Sequence, residues 1–211
     1  MLTPFKQLVD TYNMKVTATI HVGAHYGQEY MHYVECSISN CIFIEPCKEA
    51  YAKLEDRFID NNDVILYNVA CGTKKGMDVM YTSKDNQGMS NSLLKPALHT
   101  LQYKDIVFNG TENVLILPLD DLMEEVFKEH INNYNMLVMD VQGYELEVLK
   151  GATDTLKHID YIYTEVNRAE LYEGCARVEQ LDEYLHEFTR VNTNWGGKTW
   201  GDALYIRKSK L

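Results

Sequence analysis

The sequence is short of positive charge. Twenty Lys and Arg stand against 31 Asp and Glu, a formal net charge of −11. A surface that negative repels phosphate backbones, and no Lys/Arg cluster offers a local exception, so nucleic acid is not expected as the main partner. Long apolar runs are also missing. None approaches the roughly 20 residues that cross a bilayer. The opening MLTPFKQLVDTYNMK lacks the basic-then-apolar order of a secretory leader. Membrane insertion is therefore not expected, and a cytoplasmic location is. The five cysteines (Cys36, Cys41, Cys47, Cys71, Cys175) form no CxxC pair and no even secreted framework. They read as free thiols, several of them inside apolar runs. No repeat, low-complexity tract or Pro/Gly/Ser-rich linker divides the chain.

What is present is the balance of an ordinary soluble protein, 45% hydrophobic and 24% charged residues over 211 positions. That length suits one domain with a substantial core. Short β-rich runs at 16–23, 41–46, 64–70, 135–141, 161–166, 188–193 and 203–208 predict strands. Several are apolar almost throughout, as in strands covered on both faces. Amphipathic stretches at 27–37, 47–61, 120–131, 143–158 and 177–188 predict helices between them. Ala50, Leu54 and Phe58 recur at four-residue spacing in the second, and Asp120–Asp121 suit the start of the third. Alternating strand and helix implies α/β architecture, a mostly parallel sheet with helices on both faces, closed by an antiparallel pair around NWGGKTWGD. Residues 1–15 read as an N-terminal helical extension. Between the third and fourth main strands lie short strand-like pieces at 78–83 and 114–119. An insertion over 84–113, polar in its first part (KDNQGMSNSLLKP), is a candidate lid.

After the first strand comes IHVGAHYGQE. In open parallel sheets ligands bind beyond the carboxyl ends of the strands. Gly23 permits a sharp turn there, and Gly27 a close approach to a ligand or to the next helix. No Gly-Lys-Ser/Thr follows, which excludes a P-loop, and the third glycine of a dinucleotide fingerprint is missing. The second strand ends CIFIEP, placing Glu45 22 residues after Gly23. A carboxylate at that point can accept hydrogen bonds from both hydroxyls of a ribose. The alternative is a solvated strand-end acid. Loop and glutamate together favour an adenosine-containing ligand without pyrophosphate, a description S-adenosylmethionine fits.

IHVGAHYGQE, FIEPCKEAYAKL, NVACGTKKG, LDDL, MDVQGYELEVLKGA and DEYLHEF follow one another over roughly residues 18–190. With them the chain resembles the FkbM-type family of S-adenosylmethionine-dependent methyltransferases. The resemblance implies a class I methyltransferase fold, a Rossmann-like three-layer sandwich whose seven-stranded, mostly parallel sheet has an antiparallel last strand. It implies S-adenosylmethionine as cofactor and S-adenosylhomocysteine as product. Gly23, Ala24 and Gly27 would pass around the cofactor's amino-acid end. Glu45, with Pro46, would hold the ribose, Asn68 and Ala70 would lie near the adenine, and Asp140 would sit where cofactor and acceptor meet. It further implies O-methylation of a hydroxyl on a sugar, glycan or small natural product. His21 and His25 depart from the aspartate and asparagine often found at their positions. Both remain candidate cofactor contacts, His25 through a ring nitrogen.

A hydroxyl acceptor has a high pKa, so a base beside it helps. Asp140 is the first candidate, against cofactor binding or helix capping alone. Glu165, at the end of the fifth main strand, is the second. Glu145, Asn167 and Trp195 are candidate acceptor contacts, each balanced by a structural role, and Ser92 in the insertion is a candidate cofactor contact. Asp140, Glu165 and His25 could share a divalent ion, but no HExxH-like spacing demands one, so metal is not favoured. The remaining histidines (His32, His99, His130, His158, His186) are expected on the surface. Two other readings stay open: a binding domain that has lost turnover, and a dinucleotide-dependent oxidoreductase.

Overall fold

The computed structural model describes residues 1–130 and 134–211, leaving aside the side chains at 125 and 127–130. Seven strands form the main sheet: β1 (Thr19–Val22), β2 (Cys41–Ile44), β3 (Val64–Tyr67), β7 (Met136–Met139), β8 (Tyr161–Asn167), β9 (Phe188–Trp195) and β10 (Trp200–Arg207). Their order is β3-β2-β1-β7-β8-β10-β9. All neighbouring pairs are parallel except those made by β10, which inserts antiparallel between β8 and β9. This is the mostly parallel sheet with an antiparallel final strand that the strand–helix alternation predicts.

Residues of β1, β2, β7 and β8 are buried throughout. Their side chains alternate between two cores. Ile20, Ile42, Leu137 and Ile162 face one, packed under α5 (Leu119–His130), α6 (Glu145–Lys150) and α7 (Val178–Tyr184). Phe43, Val138, Tyr163 and Leu204 face the other, under α1 (Phe5–Thr11), α2 (Tyr30–Val34) and α3 (Lys48–Phe58). Two covered faces explain why the strand sequences run apolar instead of alternating. The predicted helices at 27–37 and 143–158 are shorter than expected. The first is confined to α2; the second stops at Gly151 and resumes as a 3₁₀ turn, Thr155–His158. For the predicted helix at 120–131, residue 131 lies outside the described residues.

The larger departure lies between β3 and α5. The predicted strand at 64–70 ends with Tyr67, and Ala70 starts a second sheet of β4 (Ala70–Cys71), β5 (Gly76–Ser83) and β6 (Phe108–Leu117) in the order β4-β6-β5. The strand-like pieces at 78–83 and 114–119 thus belong to a long antiparallel ladder from Gly76↔Ile116 to Ser83↔Phe108. The polar side chains of 109–113 on an exposed stretch of β6 hid that strand in the sequence. The irregular insertion narrows accordingly to 84–107, and contains α4 (His99–Gln102). It is tied down by bridges Tyr81↔Ser92 and Pro96↔Tyr172, and Asp85 Oδ2 accepts from the Val107 N–H at 2.9 Å.

Both ends of this excursion meet at Gly151. A Cβ there would lie 2.1 Å from the Gly72 carbonyl oxygen, and the Asp120 N–H donates to the Gly151 carbonyl at 3.0 Å. Asp120 and Asp121 lie in the first turn of α5, as predicted, and Asp120 has a second role. Its carboxylate accepts from the backbone N–H groups of Asp154 and Thr155 and from the hydroxyls of Thr153 and Thr155. The five cysteines are free, with Cys41, Cys71 and Cys175 buried. No helix among the described residues is long and apolar enough to cross a membrane.

Candidate active site

The strand order reverses between β1 and β7, and there the loops after β1, β2 and β7 open a cleft of about 130 Å³. Gly23 turns the chain at φ +81°, with no room for a side chain: a Cβ would sit 2.0 Å from the Asp140 carbonyl oxygen. The Gly23 and Ala24 N–H groups both donate to the Ile44 carbonyl. His21, Gly23, His25, Glu45, Pro46, Ala70, Ser92 and Asp140 line the cleft.

Glu45 is buried and holds the loops together. Its Oε2 accepts from the His25 N–H and its Oε1 from the Cys47 N–H, both at 2.8 Å. Burial outweighs these two bonds and raises its carboxyl to about 7. Each oxygen keeps a lone pair for a further donor such as a ribose hydroxyl. His25 adopts φ +50°, a left-handed conformation asparagine also tolerates. Its ring stacks on Tyr26 at 3.6 Å, with Nδ1 against the Gln28 amide and Nε2 2.9 Å from the Gln87 carbonyl. This histidine therefore ties the glycine loop to the insertion. His21 is buried beside Tyr33 Oη at 3.1 Å, and burial drives its pKa down to about 4, so it is neutral.

Four of the expected contacts do not line the cleft. Ala24 is buried beneath it. Gly27 lies against Leu54 and Phe58 of α3. Glu145, at the start of α6, accepts from the Val141 and Gly143 N–H groups and shapes the loop after β7. Asn68 is exposed and steadies the Glu45 and Pro46 carbonyls by donating to both.

Asp140 lies at the far end of the cleft, 118 residues beyond the end of β1 yet joined to it through its N–H on the Val22 carbonyl. Its carboxylate is reached by solvent while protein crowds it on every other side. That crowding, with Asp202 adding repulsion, pushes it up to about 6. Gln142, in the left-handed region at φ +53°, bridges it to its neighbours. Gln142 Nε2 donates to Asp140 at 2.6 Å and to Glu165 at 3.1 Å, while its Oε1 accepts from Tyr172 Oη at 3.0 Å. Glu165 is buried, and burial and then Asp140 hold its carboxyl well above the carboxylate range. Ser92 Oγ donates to the Gln142 carbonyl at 2.8 Å. Cationic or hydrogen-bond-donating groups are what this end of the cleft can receive.

Beyond Gln142 a second cavity of about 310 Å³ shares Asp140, Gln142 and Met89 with the first. Glu165, His99, Tyr103, Leu171 and Trp200 complete much of its wall. Among the candidate acceptor contacts, Asn167 is buried beneath Glu165, donating to it at 3.4 Å. Trp195 packs instead under the Arg168 guanidinium, 3.5 Å from the ring centre, and Trp200 is the indole that lines the cavity. His99 corrects an expectation. It is not a surface residue but 5% exposed, enclosed by Tyr103, Phe108 and Tyr172 at 4.9–5.3 Å. The sequence concealed it because these partners come from three separate segments. His32, His158 and His186 are exposed, and the His130 side chain lies outside the described residues. Among the described residues, no group of three His, Cys, Asp or Glu is placed to hold a metal ion.

Comparison with known proteins agrees with this geometry. Residues 21–191 match the FkbM methyltransferase domain. A curated relative, the 2-O-methyltransferase NoeI of Sinorhizobium fredii (strain NBRC 101917 / NGR234), is 27% identical over 212 residues, covering 98% of this chain and 85% of that protein. Among solved structures, Sp1610 of Streptococcus pneumoniae with S-adenosyl-L-methionine aligns with a TM-score of 0.52 at 11% identity, covering 98% of this chain and 73% of the other. The magnesium protoporphyrin IX methyltransferase ChlM of Synechocystis PCC 6803, with bound cofactor, aligns at 0.51 and 8% identity, covering 97% and 76%. At such identities the two structures speak for the fold alone.

Proposed function

The chain belongs to the family of FkbM methyltransferase domains and is an S-adenosylmethionine-dependent methyltransferase; we propose that it methylates a hydroxyl oxygen of a small molecule or glycan. Asp140 is the observation that supports this most, a carboxylate at the wall common to two cavities. The 2-O-methyltransferase name of the curated relative supports oxygen as the receiving atom. An acidic site in a chain of net charge −11 favours an acceptor other than nucleic acid.

When bound, the cofactor supplies an electrophilic methyl group on a sulfonium. The residues of this chain fit it. Glu45 would accept the ribose hydroxyls, Pro46 and Ala70 would border the adenosine, and the loop from Gly23 to His25 would hold its amino-acid end. Asp140 attracts the positive end of the ligand and faces the acceptor. Asp140, pushed up only to about 6, is the group able to receive the hydroxyl proton as the oxygen is methylated, and Gln142 holds it beside Glu165.

Calorimetric titration with S-adenosylhomocysteine tests the cofactor site. We expect binding by the native chain, and a loss of about 100-fold in Glu45→Ala, the weight of two hydrogen bonds to a charged group. No binding by the native chain would remove the proposal. Binding without methyl transfer to any of a broad panel of hydroxyl acceptors would leave a binding domain in its place.

A further inference from the structure

The second cavity has a composition that selects among acceptors. Two carboxylates, Asp140 and Glu165, line it, and no Lys or Arg does. Trp200 Nε1 is already committed to Tyr103 Oη at 2.6 Å, so its indole offers the cavity only apolar ring surface. Leu171 and Ile106 continue that surface.

Two lining residues, Asn86 and His99, each hold a sealed polar atom without a hydrogen bond, and in His99 it is Nδ1. The backbone holds the ring in place, its N–H donating to the Leu171 carbonyl at 3.1 Å, and three aromatic rings clamp it. Burial depresses its pKa, which makes it a neutral imidazole. Oriented and uncharged, the ring can use its other nitrogen, Nε2, to exchange a hydrogen bond with a hydroxyl without bringing charge into the cavity.

Resting on the methyltransferase reading above, we propose that the cavity of His99, Trp200, Glu165 and Asp140 is the acceptor site, and that it takes an uncharged, hydroxylated ring while excluding acceptors with an anionic group beside the reacting hydroxyl. The apolar ring face lies on Trp200, and a hydroxyl meets His99. A phosphate or carboxylate there would face the Asp140 carboxylate, which is ionised at neutral pH, with no Lys or Arg among the described lining residues to offset it.

The test uses an isosteric pair, p-nitrophenyl β-glucoside and p-nitrophenyl β-glucuronide, which differ by a carboxylate. The nitrophenyl group quenches indole emission, so binding is read from tryptophan fluorescence in the presence of S-adenosylhomocysteine, independently of turnover. The glucoside is expected to quench and the glucuronide to bind at least about tenfold more weakly, about 1.4 kcal/mol. Asp140→Asn, read at saturating S-adenosylhomocysteine, should narrow that gap. His99→Phe, which keeps the aromatic packing, should weaken the glucoside about tenfold, the value of one hydrogen bond, while S-adenosylhomocysteine affinity stays within about twofold. Equal binding of both glycosides, no glucoside binding, or an unchanged His99→Phe overturns the inference. Failure of the native chain to bind S-adenosylhomocysteine overturns instead the reading beneath it, and with it the inference.

Discussion

The two cavities on either side of Gln142 are built from different material. The first is framed by the tips of β1, β2 and β7, whose residues are buried on both faces and paired by parallel ladders. The second takes much of its wall from residues 86–106, an irregular stretch with left-handed residues at Asn86 and Gln87. A ligand common to every family member can be met by a rigid frame; one that differs between members is met by the part of the chain that varies most cheaply. The proposal therefore divides the site: rigid strand ends for the cofactor, adjustable insertion for the acceptor.

Gly23→Val attacks the rigid half. The added side chain collides with the Asp140 carbonyl and enforces a left-handed backbone on a branched residue. Cofactor affinity measured by calorimetry should fall by more than about 100-fold, since strain and displacement each cost about 1–3 kcal/mol. An affinity within tenfold of native would mean that the frame yields, and the division would lose its first half.

Titration offers a second way in. Glu45 and Glu145 are raised to about 7 and Asp140 to about 6, by burial first. Each holds its proton in the folded chain at pH values where the unfolded chain has released it. Their destabilising effect is absent below the ordinary value of 4.5 for a glutamate and complete above about 7. The cofactor-free protein should lose on the order of 5 °C in melting temperature between pH 5 and pH 8. Glu45→Gln, which keeps the shape and removes one titration, should flatten that slope; a slope unchanged in the variant would show that Glu45 does not contribute to it.

Asp85→Ala attacks the adjustable half by freeing Val107 from the only side chain recorded as accepting its N–H among the described residues. An increase of about fivefold in acceptor KM is expected, one hydrogen bond's worth, with cofactor affinity unchanged. A matching loss in cofactor affinity would show the two halves to be coupled. The smallest effect is expected from His25→Asn. It keeps the left-handed turn and forfeits the ring's contact with the Gln87 carbonyl. Cofactor binding should weaken by about threefold; no change would make the link between loop and insertion incidental.

The rigid half is also the half that local sequence patterns reveal. Continuous apolar runs located β1, β2, β7 and β8, because burial on both faces leaves a local signature. Glu45 was legible from its distance to Gly23, since both sit at strand ends with a fixed geometry. The second sheet was not. Asn109, Thr111, Glu112 and Asn113 are polar on a largely solvent-facing part of β6, and the pairing of this stretch with β5, from Thr82↔Gly110 to Val79↔Asn113, is a long-range fact. His99 escaped for the same reason: its surroundings assemble from α4, β6 and the segment after β8, whereas the NWGGKTWGD loop offered both Trp195 and Trp200 as possible indole faces for an acceptor ring. Trp195, five residues away from Trp200 on the other side of a hairpin, presents the same residue type to a different neighbour. Residue type alone could not separate them.

The contact at Gly151 has a bearing on engineering. Residues 72–118 leave and rejoin the main fold at one glycine, with the Gly72 carbonyl and the Asp120 amide both resting on its backbone. The segment that carries the insertion is thus mounted like a cartridge. It could be exchanged between relatives to transplant acceptor preference, provided that Gly72, Gly151 and Asp120 travel as a set. A side chain at either glycine would misseat the whole transplanted unit.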